Sequence, residues 1–223
     1  MNRSQFLIGL IFVAVVALGV AAYFVFFNTP SDTTSAAPSG ALSYTLTKDD
    51  RTQGSPKAPI TMIEYAAPTC PICAHFDIAM FPQLKQQYID MGKVYYVFRV
   101  YPLQAADVAA EAMARCLPED SYFQFIEMLY HNQSKWDPDG YSIPDVHGAL
   151  VQMGNIAGLT AEKTDSCISD KAQTQRIEQV GADAQVRYGI NGTPTFIING
   201  QMHGPFADFA EVQATLDPML NKK

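Results

Sequence analysis

Two cysteines separated by two residues, in Cys70-Pro71-Ile72-Cys73, are the side chains whose types and spacing most directly permit chemistry. Sulfurs one helical turn apart can join in a small ring, and the same pair could supply half of a tetrahedral metal site. Pro71 separates the parts the two cysteines would play in a ring. Proline at the first helical position makes Cys70 the cap residue, so its sulfur faces unpaired backbone N–H groups at the positive end of the helix dipole, where a thiolate is favoured. Cys73, one turn on, is shielded. Cys70 is therefore expected to attack and Cys73 to resolve. A metal would need His75 as a third ligand and Cys116 or His203 as a fourth. The sequence has no second C-x-x-C and no H-x-x-x-H to complete such a set, so no metal site is expected. His75 reads as a surface histidine, and His131, His147 and His203 take no role. Trp136 reads as a core anchor at a helix end.

The elements around the pair give it specificity. Ile60 to Ala66 alternates, with Ile60, Met62 and Glu64 on one face and Thr61, Ile63 and Tyr65 on the other. Glu64 is thus an acid on an apolar strand, six residues before Cys70. Val94 to Val100 is almost continuous β-formers, the pattern of a strand covered on both sides. Pro71 to Met91 between them is helical in length, which makes a right-handed strand–helix–strand unit, and Pro82 should bend or split its helix. Ala105, Val108, Ala109, Ala112, Met113 and Cys116 follow helical spacing, predicting an amphipathic helix over Gln104 to Leu117 with Cys116 on its buried stripe. Helical patterns recur over Glu119 to Asn132, Ser142 to Met153, Thr160 to Ser169 and Lys171 to Tyr188. Strand character returns at Thr195 to Ile198, then Asn199-Gly200 signals a hairpin into Gln201 to His203, and Ala207 to Leu220 closes as a helix. The layout is an α/β sheet domain over 42–223 with a helical block inserted at about 103–189.

With 223 residues, 48% hydrophobic and 17% charged, the chain can bury a core, which excludes a disordered or collagen-like protein. Its net charge of -7 gives a nucleic-acid backbone nothing to bind, and no nucleic acid is expected as a partner. Phe6 to Phe27 runs 22 residues without a charge after Arg3. That exceeds a secretory signal's apolar region and predicts a retained transmembrane anchor over 1–27. A signal cleaved near Val20-Ala21-Ala22 is the alternative. Either way the remainder is exported, because the basic flank stays inside. Residues 28–41, rich in Ser, Thr, Ala, Pro and Gly with Asp32 their one charge, read as a flexible linker.

The stretches Glu64-Tyr65-Ala66-Ala67-Pro68-Thr69-Cys70-Pro71-Ile72-Cys73, Phe81-Pro82, Phe98-Arg99-Val100-Tyr101-Pro102-Leu103 and Gly192-Thr193-Pro194-Thr195-Phe196 resemble the DsbA-type thiol:disulfide oxidoreductases of the thioredoxin superfamily, in a form common in alphaproteobacteria. The resemblance covers roughly Thr61 to Leu220. It implies a thioredoxin-like fold with an inserted helical domain and an enzyme without a cofactor. That enzyme would introduce disulfides into exported proteins on the periplasmic side of the inner membrane and be reoxidised by a DsbB-like, quinone-linked membrane partner. It also implies that Pro194 is a cis-proline packed beside the active cysteines, and that the backbone of Thr193 pairs with substrate bordered by Pro71 and Ile72. Glu64 matches the family's buried acid, which relays a proton to or from Cys73. A partly exposed strand-end carboxylate is the plain alternative. Ile72 departs from the pattern: many relatives have His there, which helps the Cys70 thiolate, whereas isoleucine offers no donor. Cys116 and Cys167 lie 51 positions apart. An oxidising compartment favours a structural disulfide between them over two buried thiols. The resemblance implies the same pair, which spacing alone does not show. A reductase or isomerase would use the same residues, and a non-catalytic module holding a metal or a client is the reading from another class.

Overall fold

β-branched and aromatic residues place two parallel strands at the centre of the sheet, and everything else is arranged to cover them. The computed structural model describes residues 42–138 and 141–221, all in the unit that begins at Gly40. The expected anchor and linker lie outside these residues. Among the described residues no helix is long and apolar enough to cross a membrane. The sheet holds β1 (Arg51–Gln53), β2 (Ile60–Ala66), β3 (Val94–Val100), β4 (Thr195–Ile198) and β5 (Gln201–His203) in the order β1-β3-β2-β4-β5. β2 and β3 run parallel from Ile60 opposite Val94 to Ala66 opposite Val100, and the other pairs are antiparallel. Both faces are buried, as the near-continuous apolar run of β3 predicts. Ile60, Met62, Tyr96, Phe98 and Phe196 look into the main core, while Ile63, Tyr65, Val97 and Ile197 pack with Ala184 and Ile190 on the other side.

The segment after β2 is helical but broken, as Pro82 requires. It comprises α1 (Pro71–His75), a π-helical turn (Phe76–Met80), α2 (Phe81–Leu84) and a second π turn (Lys85–Ile89). Proline lacks an N–H for the ladder, and the helix widens beside it so that the Phe81 N–H bonds to the Phe76 carbonyl five residues back.

Between β3 and β4 lie α3 (Ala105–Cys116), a 3₁₀ turn (Glu119–Ser121), α4 (Tyr122–His131), α5 (Gln133–Trp136), α6 (Val146–Ile156), α7 (Ala161–Ile168) and α8 (Lys171–Tyr188). Helix α6 starts four residues later than expected, because Asp145 caps it by accepting the Gly148 N–H at 2.8 Å. Gly189, at φ 70°, ends α8 in the left-handed conformation. Cys116 is bonded to Cys167, tying the end of α3 to α7. Cys116 is half-buried rather than fully inside the stripe, because it is the last residue of its helix. α9 (Phe209–Leu220) closes the fold on an Asp208 cap. Trp136 is fully buried, its indole N–H donating to the Leu129 carbonyl at 2.9 Å.

The hairpin turn Asn199-Gly200 has φ of 46° and 81°, the paired left-handed conformation of a type I′ turn. Asn199 also bonds sideways to β2. Its Oδ1 accepts the Thr61 N–H at 2.9 Å and its own N–H donates to the Thr61 carbonyl at 2.9 Å.

Candidate active site

β2 delivers the chain to a tight turn at Ala67-Pro68-Thr69, closed by the Cys70 N–H on the Ala67 carbonyl at 3.0 Å. Cys70 then caps α1 with φ -74° and ψ 119°, its sulfur accepting the Cys73 N–H at 3.3 Å. This is the geometry expected from Pro71 at the first helical position. Across the sheet, β4 begins beside the dithiol. The Thr193–Pro194 peptide bond is cis, and the Cys70 thiol donates to the Thr193 carbonyl at 3.4 Å. Both cysteines are free thiols. Cys73 is fully enclosed, as expected, but Cys70 is itself only 5% exposed, because the Thr193 carbonyl lies against it. Pro71 and Ile72 are exposed beside it.

The two sulfurs differ sharply in acidity. Hydrogen bonding from the Cys73 thiol pulls the Cys70 pKa down to about 6, against the opposing effect of burial; the Thr193 side chain and the backbone N–H groups of Cys73 and Ile72 add to the fall. The Thr193 hydroxyl is buried without another hydrogen-bond partner, which leaves it available to donate to the Cys70 thiolate. Burial pushes Cys73 well above its ordinary value, reinforced by its hydrogen bond to Cys70 and by the charges of Cys70 and Glu64. At pH 7 a thiol of that acidity is ionised in about nine molecules of ten, whereas Cys73 keeps its proton.

Glu64 is a buried acid, not an exposed strand-end carboxylate: it is 2% exposed and accepts the Tyr96 hydroxyl at 2.6 Å. Burial raises its pKa to about 8, with Asp77 and Cys70 adding to the rise, so it is protonated at neutral pH. Glu64, Asp77, Tyr96 and Tyr130 line a cavity of about 390 Å³ behind the dithiol. Asp77, which sequence reasoning passed over, is raised to about 7 by burial and then by Glu127. The other partners missed in the sequence are Asp107 and Gln133, both buried and both bonded to the turn before Cys70. The available signal for Asp107 was an acid three residues after Gln104 at the start of a predicted helix, where it can reach back to the unpaired N–H groups. The metal reading loses its ligands: Cys116 is committed to Cys167, His75 is exposed, and no group of three His, Cys, Asp or Glu residues is placed to hold a metal among the described residues.

A sheet of this order, a thiol capping the helix after its central strand and a cis-proline facing that thiol define a dithiol site on a thioredoxin-like fold. The chain belongs to the thioredoxin family, whose family model matches residues 46–218. A Rickettsia prowazekii protein named for protein-disulfide oxidoreductase activity is 32% identical over 161 residues, which cover 71% of this chain and 57% of that one. The chain thus spans less than two thirds of the length of such Rickettsia relatives. Disulfide bond formation protein D of Bacillus subtilis is 26% identical over 86% of this chain and 84% of its own. The crystal structure of Wolbachia pipientis alpha-DsbA1 superposes with a TM-score of 0.69 at 28% identity, over 79% of this chain and 94% of that one.

Proposed function

We propose that the protein is a thiol:disulfide oxidoreductase that passes a Cys70–Cys73 disulfide to pairs of protein thiols. The observation that carries this reading is the placement of Cys70 as the cap of α1 against the Thr193 carbonyl before the cis-proline, with Cys73 enclosed one turn behind it, an arrangement that lowers the Cys70 pKa and raises that of Cys73. A substrate thiolate attacks the Cys70 sulfur of the disulfide, and the bond to Cys73 breaks. Cys73 leaves with the electron pair and takes a proton, for which the protonated Glu64 is the buried source. A second substrate thiolate then attacks the substrate sulfur of the mixed disulfide, and Cys70 leaves as a stable thiolate. The substrate has lost two electrons and the enzyme has gained them. A low-pKa leaving thiolate stabilises the reduced enzyme and so favours oxidation of the substrate.

The names of the relatives, with their disulfide bond formation, support the oxidising direction. The apolar run at 6–27 supports an anchored protein on the periplasmic side of the inner membrane, with exported protein thiols as substrates. The resemblance to DsbA-type enzymes supports a DsbB-like oxidase as the source of the disulfide. Mixing the oxidised protein with a reduced two-cysteine peptide should yield one peptide disulfide per Cys70–Cys73 disulfide consumed, and Cys73→Ala, whose Cys70 thiolate can attack a disulfide but has no Cys73 to release the product, should accumulate a mixed disulfide on Cys70 when mixed with the oxidised peptide. No transfer, or trapping on neither cysteine, overturns the reading. A resting state found reduced in cells would reverse the direction and leave the exchange chemistry standing.

A further inference from the structure

Residues 68–70, the turn that carries the attacking thiol, are fastened by two side chains of the helical insertion in addition to their own backbone bonds. Asp107, in the first turn of α3, accepts the Leu103 and Gln104 N–H groups on Oδ2 at 2.9 and 3.1 Å, and the Thr69 N–H on Oδ1 at 2.8 Å. Gln133 opens α5, is 6% exposed, and donates from Nε2 to two carbonyls, Pro68 at 2.9 Å and Cys70 at 3.1 Å. Both partners are acceptors only, which fixes which end of the Gln133 amide faces them. Trp136, on the same short helix, is fully buried.

We infer that Gln133 is a positioning residue for the Cys70 nucleophile, so that the helical insertion sets the acidity and redox poise of a dithiol that lies outside it. This rests on the oxidoreductase reading above. The Cys70 carbonyl turns with the Cys70 ψ angle, and that angle decides how the sulfur is aimed at the first N–H groups of α1. Gln133 and the Ala74 N–H, at 3.0 Å, share that carbonyl, and Gln133 also grips the carbonyl two residues earlier. The thiol-bearing residue is therefore held on both sides by one amide group. Loosening that grip lets ψ drift, lengthens the 3.3 Å bond from the Cys73 N–H to the sulfur, and weakens what stabilises the thiolate. The insertion thereby acts on the chemistry through a hydrogen bond to backbone rather than through contact with sulfur or substrate.

The test compares full-length wild type with Gln133→Met, which fills the same volume without a donor, and Gln133→Asn, which keeps the amide on a shorter stem. Three quantities are read: the thiolate absorbance titration of Cys70, the equilibrium constant with glutathione, and the melting temperature. In Gln133→Met the Cys70 pKa should rise by about half a unit or more and the glutathione equilibrium should move about threefold toward the disulfide, since one pKa unit is tenfold in thiolate population. Gln133→Asn should fall between it and wild type. A lower melting temperature with an unchanged titration and equilibrium would make Gln133 purely structural and overturn the inference. Failure of both variants to fold would overturn it too, by assigning Gln133 to folding. The titration needs no substrate, so a wild type that titrates normally yet transfers no disulfide would sink the proposed function without touching this result.

Discussion

Tyr96 on β3 donates its hydroxyl to Glu64 on β2 at 2.6 Å, joining two side chains on the buried face behind the dithiol. The bond lowers the Glu64 pKa, but burial outweighs it and leaves the acid at about 8, close to the pH at which a proton can be both given and taken back. Replacing Glu64 with Gln keeps the shape and removes the titration. Glu64→Gln should slow disulfide exchange by about a hundredfold, the lower end for a general acid or base. It should also erase an inflection near pH 8 in the rate profile. Stopped-flow measurement of peptide oxidation across pH checks both, and a profile that keeps its inflection would reassign it.

Thr193→Val removes the one hydroxyl aimed at the thiolate while preserving volume. The Cys70 pKa should rise above about 6, because a donor to the charged form is lost and the burial that opposes ionisation is unchanged. Thiolate absorbance titration decides this, and an unmoved pKa would leave the Cys73 thiol and the helix N–H groups as its whole cause.

Ile72→His should lower the Cys70 pKa and make the protein more oxidising. Ile72 is 52% exposed, so an imidazole fits there without repacking and brings a donor or a charge beside the sulfur. A charge-assisted hydrogen bond of about 1.4 kcal/mol corresponds to about 30 mV in a two-electron couple. A glutathione equilibrium reads a shift of that size, and an unchanged or lower potential would show that position 72 does not set the poise.

The acidity of Cys70 also makes the stability of the reduced form depend on pH. Its folded pKa of about 6 lies below the ordinary 9.0. The Cys70 contribution to the stability of the dithiol form is therefore present at pH 9, shrinks between pH 9 and 6, and is gone below, while above pH 9 the raised pKa of Cys73 works against it. The melting temperature of reduced protein minus that of oxidised protein should fall across that window as the pH drops. A difference that is flat with pH would mean that Cys70 is not ionised in the folded protein.

Replacing Cys116 and Cys167 together with Ala should lower stability by about 4 kcal/mol, the loop-closure value for a bridge of this span, and the melting temperature by about 10 °C. The Cys70 titration should stay where it is, because neither sulfur of the bridge touches the dithiol. Calorimetry together with the thiolate titration tests both halves.

Much of this arrangement is legible in the sequence because its signals are local. β2, β3, β4, β5 and α8 begin and end where alternation, apolar runs and turn residues place them. Cys70, Pro71 and Cys73 form their cap within four residues, so their roles follow from spacing. β1 was not legible: Arg51-Thr52-Gln53 has no apolar pattern, and only its pairing with Tyr96, Val97 and Phe98 makes it a strand. Asp107 and Gln133 were missed for the same physical reason. Each is polar, each is buried, and the backbone groups through which they hold the active-site turn lie 38 to 65 residues away, a distance at which periodicity carries no information. Asp77 looks like an ordinary surface acid on a helix until the widened turn beside Pro82 and the cavity behind Glu64 surround it.

Asn199 has a consequence at the opposite end of its strand. By bonding to Thr61 through both its backbone and its side chain, it fixes the zero point from which β4 is measured against β2, from Ile198 opposite Met62 to Thr195 opposite Tyr65. A slip of one residue in antiparallel pairing turns every side chain to the other face. It would carry Thr193 and Pro194 off the Cys70 sulfur altogether. The 3.4 Å between that sulfur and the Thr193 carbonyl is thus a length set by a ruler whose origin is a hairpin asparagine at the far edge of the sheet.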